Sequence, residues 1–185
     1  MRKEESDAGF TLLDTLMSTV VMTIVMAIFT SSIVAMYRTA NKAEGKAFAQ
    51  TQISMALERL DREIRYAVGI SPEYGGGQYV DFLTVRQGRQ QCVQLRVAAG
   101  VLAQRTWTYQ QSPPDLTGWV PLATGVTGTT PFTYLAPTPT LGFQQLKVSL
   151  FVTTTSGRDA NTTTFTAMNS SRTSGNDYCS AARTL

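Results

Sequence analysis

Residues 15–37 read TLMSTVVMTIVMAIFTSSIVAMY, a run with no charged side chain. As a helix these positions span about 35 Å, against a bilayer hydrocarbon core of about 30 Å. The run is therefore long enough to cross a membrane. Its Thr and Ser residues are compatible with that, because a hydroxyl can bond the backbone carbonyl one turn back. A buried core helix is the alternative, but the segment is long and lacks a polar face. A secretory signal peptide is another. Its apolar core is typically about 7–15 residues and ends in a small-residue cleavage site. Here the core is longer, and the adjoining residues, RTANKAEGKAF, read as more helix. Arg2 and Lys3 precede the span while Arg38, Lys42 and Lys46 lie after it, so charge counting leans weakly toward an N-terminus outside and leaves orientation open.

Just ahead of the run stands MRKEESDAGFTLLD, residues 1–14. A short charged leader ends at Gly9, Phe10-Thr11-Leu12 comes next, and Asp14 lies five residues beyond the glycine. This resembles the N-terminus of type IV pilins and pseudopilins, and the likeness extends over about the first 28 residues of the apolar segment and its leader. The resemblance implies cleavage by a prepilin peptidase between Gly9 and Phe10 on the cytoplasmic side, then N-methylation of Phe10. It also supplies the orientation that charge does not: leader inside, C-terminus outside. Glutamate is usual in that family where this chain has Asp14. An acid in a membrane span needs a partner. The implied partner is the new α-amino group of Phe10 on a neighbouring subunit, a contact that sets register in a filament. Aspartate is one methylene shorter, which suits a subunit present in few copies or at a filament tip. The plainer alternative is an Asp14 solvated at the membrane interface.

Helical periodicity continues beyond Arg38. In TQISMALERLDREIRYAVGI, residues 51–70, Ile53, Leu57, Leu60 and Ile64 form one apolar stripe, with charged residues on the other faces. Glu58/Arg62 and Asp61/Arg65 have i,i+4 spacing, each pair adding a few tenths of a kcal/mol. Gly69 and Pro72 end the pattern near residue 68. The run ALERLDREIRYA resembles the stalk end of pseudopilins of the J type and minor pilins of the W type.

From Gly75 the period becomes two. QYVDFLTV, QCVQLRV and VLAQRTWTY read as antiparallel strands joined through RQGRQ and AAG. A Pro-, Gly- and Thr-rich stretch from Gln110 to Thr140 reads as irregular, with short strand pieces. FQQLKVSLFVTTT is the clearest late strand, and TTTFTAM returns after SGRDAN. The expected fold is α+β and pilin-like: a leader (1–9), a membrane or filament-core helix (10–37), an amphipathic stalk helix (38–70), and an antiparallel β-rich head (71–185). The last residues are poor in apolar side chains and would lack order unless tied down. Cys92 and Cys179 are the only cysteines. In cytosol they would be two thiols; outside it they are expected to pair. That bridge would hold the tail to the central sheet.

The absence of histidine removes the commonest general base and metal ligand. No G-x-S-x-G, P-loop or metal cluster appears, so the chain is read as not an enzyme and as needing no cofactor. The tripeptides at Asn161 and Asn169 match the glycosylation acceptor pattern, which a Thr/Ser-rich tail meets readily. Two functions remain. One is a structural subunit of a type IV pilus or a type II secretion pseudopilus. The resemblance implies as its partners a prepilin peptidase, an inner-membrane assembly platform, membrane lipid and other pilins. The other is a pilus-tip binding module, an adhesin or DNA-uptake receptor. Without its leader the chain carries +4. Arg86, Arg89, Arg96 and Arg105 lie near Trp107, Tyr109 and Trp119 in the hairpin region, and basic residues among aromatics can grip nucleic acid. The plainer reading is solvated arginines at sheet edges and core aromatics.

Overall fold

The structure is a computed structural model, and it describes residues 11–154, 157–170 and 177–183. The chain divides into two compact units, one ending at Ala43 and one beginning at Glu44. The division falls within a single α-helix, α1 (Leu12–Arg65).

In the first unit no residue from Thr11 to Ala43 is buried, and large apolar side chains such as Leu12, Phe29 and Met36 stand exposed. This helix is long and apolar enough to cross a membrane. Most of its hydroxyls are occupied locally. Thr15, Thr19 and Thr23 donate to the carbonyls of Leu12, Leu16 and Val20, while Ser31 and Ser32 both donate to Ile28. Each of these side chains thus directs its proton to the helix that carries it.

The second unit holds the core. Ile53, Ala56, Leu60 and Ile64 of α1 are buried, with Leu57 packed beside them. Asp61–Arg65 forms an ion pair at 2.6 Å, as the spacing suggests. The second pair joins Arg59 to Glu63 at 3.2 Å rather than Glu58 to Arg62. Glu63 is selected because it also meets Arg86 of the sheet. The helix stops at Arg65, a few residues before the sequence pattern ends. Val68 already donates to the Leu83 carbonyl at 2.7 Å, so sheet pairing captures the chain there.

Among the described residues nine strands succeed the helix. β1 (Gly69–Ile70), β2 (Tyr79–Arg86), β3 (Arg89–Ala98), β4 (Val101–Thr108) and β5 (Val120–Thr124) form an antiparallel sheet in chain order. In a second antiparallel sheet β6 (Val126–Thr127) and β7 (Phe132–Leu135) share one side of β8 (Gln144–Thr154), and β9 (Gly157–Ala167) lines the other. Leu146, Val148, Leu150 and Val152 of β8 all point into the core, following their alternation in sequence.

Both sheets and the α1 stripe enclose this core. From the first sheet it takes Val80, Phe82, Val93, Leu95, Val97 and Leu102. The opposite face of β2–β4 is covered by the C-terminal segment. Cys92 and Cys179 form a disulfide. Around it Leu83, Trp107 and Ala182 make a second, smaller apolar cluster. Tyr178 lies on Gly69, where a Cβ would stand 2.1 Å from its ring. Glycine at that position leaves room for the tail to seat.

Candidate functional site

The register of β2, β3 and β4 sets two rows side by side on the tail-covered face. Leu83, Cys92 and Trp107 are mutual partners in one row; Asp81, Gln94 and Arg105 are partners in the next. The first row is apolar and the second can make a chain of hydrogen bonds. A third row brings Tyr79 opposite Arg96.

Above these rows sits the loop YGGGQY, residues 74–79. Gly75, Gly76 and Gly77 have φ of 60°, 69° and 80°, a left-handed run that residues with a Cβ resist. It folds Tyr74 back on Tyr79, which it pairs as an isolated bridge with the rings stacked 5.3 Å apart. The Tyr74 hydroxyl then donates to Asp81 Oδ1 at 3.1 Å and accepts from Gln94 Nε2. Gln94 Oε1 in turn accepts from Arg105 Nε, and Arg105 Nη2 donates to the Ala182 carbonyl at 3.1 Å.

The tail closes the network. Arg183 Nε donates to Asp81 Oδ2 at 2.9 Å, and its two terminal nitrogens reach Asp177 at 2.7 and 2.6 Å. Its guanidinium lies 4.4 Å from the Tyr74 ring centre. Asp81 is fully buried. Burial pushes its carboxyl above the ordinary 3.8, against the pull of the Arg183 hydrogen bond and charge. Burial also raises the Tyr74 phenol, and the Asp81 charge adds to that. Arg105 is lowered by burial, and the nearby Arg96 charge adds to the effect. Burial pulls Arg183 down too, but its bond to Asp81 and the charges of Asp81 and Asp177 raise it overall.

Trp119, immediately before β5, lies across two arginines. Arg96 and Arg105 stand 3.9 and 4.7 Å from its ring centre. Together these groups line an open pocket of about 340 Å³. Arg105 and Arg183 hold the tail in place. Arg96 makes no ion pair among the described residues.

The four arginines singled out in sequence therefore separate. Arg96 and Arg105 converge on one pocket. Arg86 is paired with Glu63, and Arg89 faces Arg86 across the β2–β3 turn. A continuous four-arginine track is not what the strands build, because Arg86 and Arg89 lie at the far end of the hairpin. Trp107 belongs to the disulfide cluster, with Tyr109 packed against it, while Trp119 joins the arginines. Tyr74, Asp81, Gln94 and Arg183 are not legible as a site in the sequence. Asp81 is the available signal: a lone acid in the middle of an alternating apolar strand.

At the start of α1, Asp14 is exposed in the first turn. Its Oδ2 accepts from the Thr11 hydroxyl at 2.9 Å and from the Thr11 N–H at 3.4 Å. Thr11-x-x-Asp14 thus has the spacing of a capping box, and the acid returns to an otherwise unpaired helix-end donor. Gly9 and Phe10 lie outside the described residues. Among the described residues no cluster of three or more acid or cysteine side chains is placed to hold a metal. No protein-family model matches this chain, and no curated protein does.

Proposed function

We propose that this chain is a minor pilin or pseudopilin, a structural subunit processed at Gly9/Phe10 and assembled through its N-terminal helix into a type IV pilus or type II secretion pseudopilus. The observation that carries this reading is the join between the sequence Gly9-Phe10-Thr11-Leu12-Leu13-Asp14 and a helix in which every residue from Leu12 to Ala43 is exposed. Such a surface needs an apolar environment from outside the chain. Lipid supplies it before assembly and the helices of other subunits supply it afterwards. The same helix enters the core of the β-rich unit through Ile53, Leu60 and Ile64, which links anchor and head in one element. Asp14, capped on Thr11 here, offers its carboxylate to a neighbour's α-amino group in the filament.

The mature N-terminus tests this. The full chain is produced in membranes with and without a prepilin peptidase, and its N-terminal peptide is read by mass spectrometry. A peptide that begins at a singly methylated Phe10 only when the peptidase is present is the expected result. An intact Met1 in the presence of an active peptidase would overturn the assembly reading.

A second reading, a binding module carried on the same anchor, is supported by the pocket at Arg96, Arg105 and Trp119. Most of that pocket's polar groups are committed to the tail, but Arg96 and part of Trp119 are not.

A further inference from the structure

We propose that Arg38 and Lys42 bind the headgroups of anionic phospholipids, in the leaflet on the C-terminal side of the α1 span. This rests on the membrane-anchored part of the proposed function and not on filament assembly.

The uncharged run ends at Tyr37, and the next residue is Arg38. Tyr37 is exposed, as is every residue from Thr11 to Ala43. A tyrosine suits the membrane–water boundary, where its ring meets the acyl region and its hydroxyl meets water. That marks the edge of the hydrocarbon. Helix rise then sets depth: Arg38 lies about 1.5 Å beyond Tyr37 along the helix and Lys42 about 7.5 Å. The headgroup layer is about 5–7 Å thick on each side of a bilayer. Arg38 falls inside it. Lys42 stands at its outer limit, and a lysine stem is long enough to reach back.

Among the described residues nothing neutralises these two cations. They stand four residues apart on one face of α1, a spacing at which like charges repel. No Asp or Glu lies three or four residues to either side of Arg38 or Lys42. Lys46 continues the spacing, but it belongs to the second unit, where Asp159 pairs with it at 2.9 Å. The cation farther from the span is answered by the protein, and the two beside the span are not. In the proposed orientation these residues lie outside, against the usual excess of Lys and Arg on the cytoplasmic side. An anion from outside the chain, at the level of Arg38 and Lys42, relieves their repulsion.

Lipid supplies that anion in the right place. The exposed apolar surface ahead of Tyr37 needs acyl chains, and a lipid that covers it carries its phosphate to the level of Arg38. The Arg38 fork matches two phosphate oxygens, and Lys42 adds a point charge. A zwitterionic headgroup brings its own cation, so the preference is for lipids of net negative charge. A second copy inserted to the same depth presents the same two cations there and cannot supply the counterion.

The test reconstitutes the full chain into vesicles of phosphatidylcholine and phosphatidylglycerol in equal parts, with identical acyl chains. Resistance to alkaline carbonate checks insertion. Electron spin resonance of spin-labelled forms of each lipid then reads the fraction immobilised by the protein. Wild type should favour phosphatidylglycerol by at least about twofold at low salt. Raising salt to about 0.5 M should lower that ratio, because both side chains are exposed. The double variant Arg38→Gln, Lys42→Gln should bring it to one, and each single variant should fall between. Lys46→Gln should leave it unchanged. An inserted wild-type chain with no preference would overturn the proposal, as would a preference that survives in the double variant. If wild type shows no preference and only the double variant loses cross-linkable oligomers, the two cations answer an acidic neighbour instead, and the proposal falls. A chain extracted by carbonate would overturn the span reading together with it, whereas an inserted chain without preference overturns this proposal alone.

Discussion

The two faces of the β1–β5 sheet are covered in different ways. One face meets α1 through Val80, Phe82, Val93 and Leu95, against Ile53, Leu60 and Ile64. The contact is apolar, and its worth grows with the area removed from water. The other face meets the tail residues 177–183 through one disulfide, a small apolar cluster and a row of charged and polar groups. Its polar members gain little over their bonds to water, and burying Asp81 is unfavourable until Arg183 arrives. The helix face is therefore held by many interchangeable contacts. The tail face is held by a covalent link and by partners that must all be present.

Breaking the link should have the largest effect. Joining positions 87 residues apart removes loop-closure entropy from the unfolded chain, worth roughly 4–5 kcal/mol. Replacing Cys92 and Cys179 with Ser should lower the denaturation midpoint and open residues 177–183 to protease before the core is cut. If the tail stays protected, the polar row alone holds it, and the contrast between the faces disappears. Leu60→Ala acts on the other face. Leu60 is fully buried, and its truncation should cost about 2–5 kcal/mol by chemical denaturation, while the tail remains protected until global unfolding. Early release of the tail in this variant would show that the two faces are coupled.

The smallest effect sharpens the comparison. Asp81 has a raised carboxyl in the folded chain, so the folded state holds its proton more firmly than the unfolded state does. Stability from this group is therefore fully present below the unfolded value, near 3.8, and is lost as pH rises through the higher folded value. Asp81→Asn removes that titration. Wild type should gain on the variant as pH is lowered from neutral toward 3.8, as read from paired unfolding curves. A difference that moves the other way would mean that Arg183 outweighs burial and that the tail face is a net ionic clamp.

Parts of this molecule are legible in local pattern. The uncharged run at 15–37, the stripe at Ile53, Leu60 and Ile64, and the alternation of Leu146, Val148, Leu150 and Val152 each reflect one period in one segment. The pairing of Cys92 with Cys179 is the one that two cysteines allow, and the sequence favours it for a head in an oxidising compartment. Even the Thr11–Asp14 cap is a four-residue signal, although in sequence the acid stands out for its place beyond Gly9 rather than as a cap. The pocket is of a different kind. Arg96 and Arg105 stand out as charges near aromatics, but so do Arg86 and Arg89, and nothing in the order of residues separates the pairs.

What the amino-acid order determined by itself was the class of each segment, because hydrophobic periodicity and turn chemistry act over a few residues. Only the tertiary structure decided which polar groups meet. Asp81, Gln94 and Arg105 become neighbours through strand register, Tyr74 through a left-handed glycine turn, and Arg183 through the bridge that ties Cys179 to a strand 87 residues earlier in the chain. Hydrogen bonds and ion pairs depend on ångström distances and on exclusion of water. Those conditions exist only after both faces of the sheet are covered.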